Sequence, residues 1–215
     1  MADAENIVKV RRRQDRSIQT RLAILESAKV EFASNGFGGA TTRAIAERAC
    51  VRHGMLVYHF ENKLGVWQAM MEQFLKTWSE RLLAAVRALI MIDEVAALRA
   101  FQRTFVEMSA ADPDAHWLMS DMSRDASDRV SSLIDRLIGR DIEVFVDLIR
   151  RVQAKGQLIE GDPSHLYYAF IGASSRIFMV PTEVARVTGQ SPFSHAFVEE
   201  HIRICERMFF RNLAS

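Results

Sequence analysis

Proline is scarce in this chain, with four in 215 residues, at 113, 163, 181 and 192. Proline begins or ends helices and breaks them from within, so its rarity leaves room for long helices. Cysteine is scarcer still. Cys50 and Cys205 stand alone, without the recurrent spacing of a disulfide framework, which suits a reducing compartment. No apolar run approaches the ~20 residues of a membrane span. The opening MADAENIVKVRRRQDR lacks the apolar stretch of a secretory signal, so a cytoplasmic protein without membrane association is expected. Alternating apolar and polar runs, the mark of half-buried strands, are missing too. So are a Gly-x-Ser-x-Gly elbow, a phosphate-cradling glycine loop and a His-Glu-x-x-His pair. Neither an enzyme nor a cofactor is expected. His201 and Cys205 share a helix face, but two ligands fall short of the three or four a metal site needs.

What remains is 49% hydrophobic and 26% charged, the balance of a globular protein. Its net charge of +1 is unevenly spread: residues 1–63 sum to +4 and the rest to −3. A basic head on a mildly acidic body suits a chain whose first third meets a polyanion, although a solvated basic arm accounts for the same imbalance. Apolar periodicity predicts about nine helices and no strand. The first spans Ile18–Ser34, with Leu22, Leu25, Ala28, Val30, Phe32 and Ala33 inward and Asn35-Gly36 as its stop. Thr41 caps a second that ends near Ala49, and a third covers Arg52–Phe60. A fourth runs from Asn62-Lys63 towards Met91, and Asp93 caps a fifth. A sixth lies around Trp117, and a seventh runs from about Ala126 to Lys155 with Val130, Leu133 and Leu137 inward. Asp162-Pro163 opens an eighth through Phe178, and Ser191-Pro192 a ninth to about Leu213.

The most informative stretch is GFGGATTRAIAERACVRHGMLVYHFENK, residues 36–63. Ile45, Ala46 and Ala49 face inward from one short helix, Val51 packs at the turn, and Leu56 and Phe60 pair at i, i+4 on the next. The second helix is left with Arg52, His53, Gly54, Met55, Tyr58 and His59 outside, a surface rich in hydrogen-bonding and aromatic groups. Two helices crossing through a short turn, with such a face outward, form a DNA-reading unit.

In one register, GF-x-x-x-TT-x-x-IA-x-x-A-x-V-x-x-G-x-L-x-x-HF-x-x-K resembles the tetracycline-repressor (TetR) family of bacterial transcriptional regulators. The later Gly-x-Leu-x-x-x-Asp-Pro run and an aromatic-rich last helix resemble it as well. The resemblance implies an all-α fold: a helix-turn-helix domain over 17–62, behind a basic flexible arm (1–16), on a helical ligand-binding and dimerisation domain (63–215). It further implies a homodimeric repressor that leaves a near-palindromic operator when a small-molecule effector binds. Thr42 and Lys63, with His59, would hold phosphates. Arg43 would reach a guanine, and Arg52, His53, Met55 and Tyr58 would meet base edges, with Gly54 letting the backbone close in. Arg11, Arg12, Arg13 and Arg16 would enter a minor groove or stay mobile. Three positions depart from the pattern. Cys50 replaces a turn glycine, where a positive φ costs about 1 kcal/mol. Arg52 replaces a capping hydroxyl, and Val57 replaces a phosphate-contacting tyrosine.

In the body, Phe101, Phe105, Met108, His116, Trp117, Phe145, Tyr167, Phe170 and Arg176 are candidates for a ligand cavity, with plain core packing as the other reading. Gly172 and Ser175 form part of a small-residue patch. Together with Phe193, Phe197, Ile204, Met208 and Phe209 they make a candidate dimer interface, or else the inside of one subunit. Two further readings stay open: a regulator of the same build without a small-molecule ligand, and a helical enzyme or carrier.

Overall fold

The computed structural model describes the backbone of residues 2–124 and 135–211, and the side chains of 14–122, 135, 136 and 138–211. The expected start of the seventh helix, with Val130 and Leu133, lies outside the described residues. The same holds for Leu213 and for the side chains of Arg11, Arg12, Arg13 and Leu137. Ten helices are described: α1 (Ala2–Gly39), α2 (Thr42–Arg48), α3 (His53–Phe60), α4 (Lys63–Arg87), α5 (Glu94–Ala111), α6 (Asp114–Arg124), α7 (Arg140–Ala154), α8 (Pro163–Met179), α9 (Pro181–Thr188) and α10 (His195–Phe209). One π-helical turn, Asp135–Gly139, leads into α7. Among the described residues the only β-type pairing is an isolated bridge between Leu158 and Phe210.

The chain divides into two compact units, one up to Phe74 and one from Leu75 onward. In the first unit α1 starts at Ala2, so residues expected as an arm have helical backbone. Ile24, Leu25, Ala28 and Phe32 are buried on one face of α1, each large side chain contributing roughly 1.5–3 kcal/mol. Leu22 and Val30, expected inward, are each 37% exposed: Ile24 takes the inward register, and at 100° per residue its second neighbour Leu22 turns away. Gly36 breaks the helix at φ 63, where a side chain would be strained. A further turn of α1 follows and stacks Phe37 on Phe32 at 6.0 Å.

In the second unit an aromatic stack forms the centre of the core. Phe101 lies 4.0 Å from Phe145 and 5.3 Å from Phe170, ring centre to ring centre, and Phe170 lies 5.5 Å from Phe209. Asp93 caps α5 through Val95 and Ala96, and Asp162 caps α8 through Ser164 and His165. Between α7 and α8, Gln153 Nε2 donates to the carbonyls of Ile159 and Gly161 at 3.0 and 2.9 Å. The end of α10 and Arg211 just beyond it are stitched to that loop, with Ile159 N–H on Phe209 O and Arg211 N–H on Gln157 O. Helix α4 ends at Arg87, short of the expected Met91, and two further differences lie between Met179 and His195. α9 is an additional helix, opened by Pro181 and stopped by the left-handed Gly189. α10 begins at His195 with Ser194 as its cap, because Ser191–Phe193 make a turn in place of a first helical turn.

Candidate nucleic-acid interface

The Thr41 hydroxyl accepts the Ala44 N–H at 3.1 Å and fixes the start of α2. Ile45 and Ala46 are buried beneath it. At the far end the Cys50 N–H donates to Glu47 O and the Val51 N–H to Ala46 O, both at 3.0 Å. This paired closure requires a left-handed residue at its centre. Cys50 takes that role at φ 54, so the expected strain in the turn is present. α3 then begins with Arg52 as a cap that makes no side-chain bond. Leu56 is fully buried and Phe60 nearly so, while the Arg21 guanidinium lies over the Phe60 ring at 5.1 Å. Arg48 reaches the buried Glu31 of α1 at 4.0 Å.

With that face inside, Arg52, His53, Gly54, Met55, Val57 and Tyr58 are exposed, Tyr58 at 78%. Arg43 is exposed on the first turn of α2. Thr42 is half-buried, and its Oγ1 lies 3.0 Å from His53 Nε2, a pairing of two candidate DNA contacts that spacing alone does not suggest. His59 is half-buried against Tyr58, and its Nε2 is buried without a hydrogen-bond partner, so that nitrogen does not face outward. Lys63 is turned towards the end of α1 and donates to three carbonyls, of Phe37, Gly38 and Ala40. Glu61 takes a positive φ of 66 at the α3–α4 turn. Asn62 Oδ1 accepts the Gly65 N–H at 3.0 Å. Gly65 is a position that pattern reading missed: a Cβ there would lie 2.1 Å from Phe60 O.

In the second unit the expected cavity residues separate. Phe101, Phe105, Met108, Phe145 and Phe170 are packed core. Trp117 is 47% exposed, because α6 turns Ala115, His116, Leu118 and Met122 inward, and Arg176 on α8 is exposed as well. His116 is buried between Trp78 and Phe105, at ring distances of 5.7 and 5.9 Å. Burial pushes its imidazole down to about 4 against a smaller pull from Asp112, and its Nε2 has no partner. Tyr167 packs against the same core, and burial raises its phenol. Gln102, also missed, is wholly buried with neither amide atom bonded, a state that buried polar groups seldom keep without water or a ligand.

Of the expected dimer residues, Gly172, Phe193, Ile204 and Met208 are exposed and Phe197 is half-buried. Ser175 and Phe209 are buried within the subunit: the Ser175 hydroxyl donates to Ile171 O, and Phe209 packs on Phe170. Among the described residues no three His, Cys, Asp or Glu side chains are grouped to hold a metal ion, and no helix is long and apolar enough to cross a membrane.

Two short helices locked through Ile45, Ala46, Leu56 and Phe60, with a polar and aromatic face outward, define a helix-turn-helix DNA-binding protein with a second, all-helical unit. Residues 24–70 match the model of the bacterial regulatory proteins of the tetR family. The chain is 26% identical to the HTH-type transcriptional regulator RutR of Escherichia coli (strain K12), over 97% of this chain and 98% of that protein. Its fold is similar to AibR, solved in complex with isovaleryl coenzyme A and operator DNA. That match has a TM-score of 0.72 at 18% identity and covers 88% of this chain and 97% of that one. It is also similar to the ketosteroid transcriptional regulator KstR2 of Mycobacterium tuberculosis, with a TM-score of 0.69 at 18% identity, covering 89% and 95%. The chain thus matches the tetR family model over its DNA-binding segment and is similar over nearly its whole length to a transcriptional regulator.

Proposed function

We propose that the protein is a homodimeric repressor, acting in the cytoplasm and without catalysis, that holds a near-palindromic operator and leaves it when a small molecule binds the second unit. The observation that carries the DNA half is the outward face of α3, where Arg52, His53, Gly54, Met55 and Tyr58 stand clear of a helix anchored by Leu56 and Phe60. In this reading those side chains meet base edges in the major groove. Arg43 pairs with a guanine, and Thr42 meets a phosphate and holds His53 in place. The effector half is supported by His116 and Gln102, polar groups buried in an aromatic interior, with the partly buried Tyr167 packed against it, and by AibR, a protein of the same fold solved with a coenzyme A thioester. Outward Ile204 and Met208 on α10, together with the exposed Gly172 on α8, support pairing of two subunits through these helices.

The test begins with selection of genomic fragments that the purified protein retains. The best fragment and a scrambled duplex are then titrated with the protein and with Arg43→Ala. The variant is expected to lose about a hundredfold in preference for the selected duplex, the cost of one guanine contact in each of two half-sites. Equal losses on both duplexes would refute the role given to Arg43. A protein that retains no fragment over scrambled competitor would refute the regulator reading.

A further inference from the structure

Lys63 stands where the family pattern expects a phosphate anchor, yet its ammonium is bonded to backbone carbonyls at the end of α1. An ammonium has three N–H groups. Here the nitrogen lies 2.7 Å from Phe37 O, 3.1 Å from Ala40 O and 3.3 Å from Gly38 O, so all three are taken. Those carbonyls close the last turn of α1, where unpaired C=O groups and the negative end of the helix dipole favour a cation. The nitrogen also lies 4.8 Å from the centre of the Phe37 ring. That ring is held by Phe32 on one side and by the edge of Trp67 on the other, each at 6.0 Å. Lys63 is the first residue of α4, so one side chain ties the start of α4 to the end of α1. The chain leaves this seat at Ala40 and enters α2 through Thr41, its cap, and Thr42, the partner of His53.

We propose that Lys63 is a positioning residue: it fixes the Phe37–Ala40 segment and thereby the first turn of α2, and it gives no bond to DNA. This rests on the DNA-binding reading above. Swinging the ammonium out to a phosphate would strip three carbonyls of their donor and draw the cation off an aromatic face, so the exchange is unfavourable. Without Lys63 the α1–α2 segment loosens, and the start of α2 loses its fixed position relative to α3. Affinity then falls for every sequence alike, although no charge facing DNA has been removed.

Two variants separate a seat from an anchor. Lys63→Met keeps the stem and removes the donors. Lys63→Arg keeps the charge, but a planar fork cannot converge on three carbonyls around one point. Both are titrated against a random-sequence duplex and the selected fragment at several salt concentrations, well below the melting midpoint, and amide exchange is followed over residues 37–44. Both variants are expected to bind each duplex about tenfold more weakly, with the wild-type salt slope, faster exchange over 37–44 and a lower midpoint. A Lys63→Met slope shallower by about 1.8, for one phosphate per subunit of the dimer, with Lys63→Arg binding like wild type, would identify a phosphate contact and overturn the proposal. Unchanged exchange and affinity in both variants would overturn it too. Should Lys63→Met fail to fold, Lys63→Arg decides alone, since wild-type affinity and midpoint in that variant contradict a three-carbonyl seat. A wild-type chain that binds neither duplex is a separate result: it overturns the regulator reading and this assignment with it.

Discussion

Cys50 and Gly65 are mirror cases at the level of single residues. Cys50 holds a left-handed φ of 54 that glycine would adopt freely, whereas Gly65 sits where any Cβ would press to 2.1 Å from the Phe60 carbonyl oxygen. Cys50→Gly should therefore stabilise the first unit by about 0.5–1 kcal/mol, once the added freedom of the unfolded chain is subtracted. A urea melt with an unmoved or lowered midpoint would contradict this. Gly65→Ala should destabilise by about 2 kcal/mol or more, because backbone and not a yielding side chain blocks the space; a melt like that of wild type would show the turn can open. The strain at Cys50 was legible in the sequence, since the motif demands a turn at that position. The constraint at Gly65 was not, because it arises from the path of Glu61 and Asn62 and leaves no mark in residue type.

Among the elements, α2, α3 and the caps at Thr41, Asp93 and Asp162 follow from spacing and capping chemistry alone. α9 was missed although Pro181 and Gly189 mark its ends. Its eight residues are too few for periodicity to rise above the neighbouring helix, and tertiary packing decides the matter. On α6, pattern reading could not tell Trp117 from His116, adjacent residues with a shared apolar context, and the structure puts the smaller ring inside. That choice carries a pH dependence. Burial holds the folded-state imidazole down at about 4, while in the unfolded chain it titrates near 6.5. Between those values the unfolded chain takes up a proton that the folded chain refuses, so stability should fall as pH drops through that window and level off below it. The full excursion is worth roughly 3 kcal/mol. Urea melts of wild type and His116→Asn at about pH 7 and about pH 4.5 provide the measurement. A loss on acidification no larger in wild type than in the variant would contradict the assignment.

For the whole molecule the surface proposed for subunit pairing is the outer side of α10, where Ile204 and Met208 are 44% and 53% exposed. Replacing both with glutamate should yield a monomer by sedimentation, with operator affinity lower by about a hundredfold or more, since two half-sites are no longer held together. A double variant that stays dimeric would move the interface elsewhere. The apolar stripe of that helix was legible as a stripe. Its division into an inner row with Phe209 and an outer row with Ile204 and Met208 was not, because Phe209 acquires its neighbours only when α8 brings up Phe170. Of the two thiols in the chain, Cys205 is buried and Cys50 is exposed, and burial raises the Cys205 thiol further. A maleimide fluorophore should consequently attach at one place in the native protein, the bend between α2 and α3. The unmutated chain thus carries its own labelling handle, beside the helix whose occupancy an optical assay would need to follow.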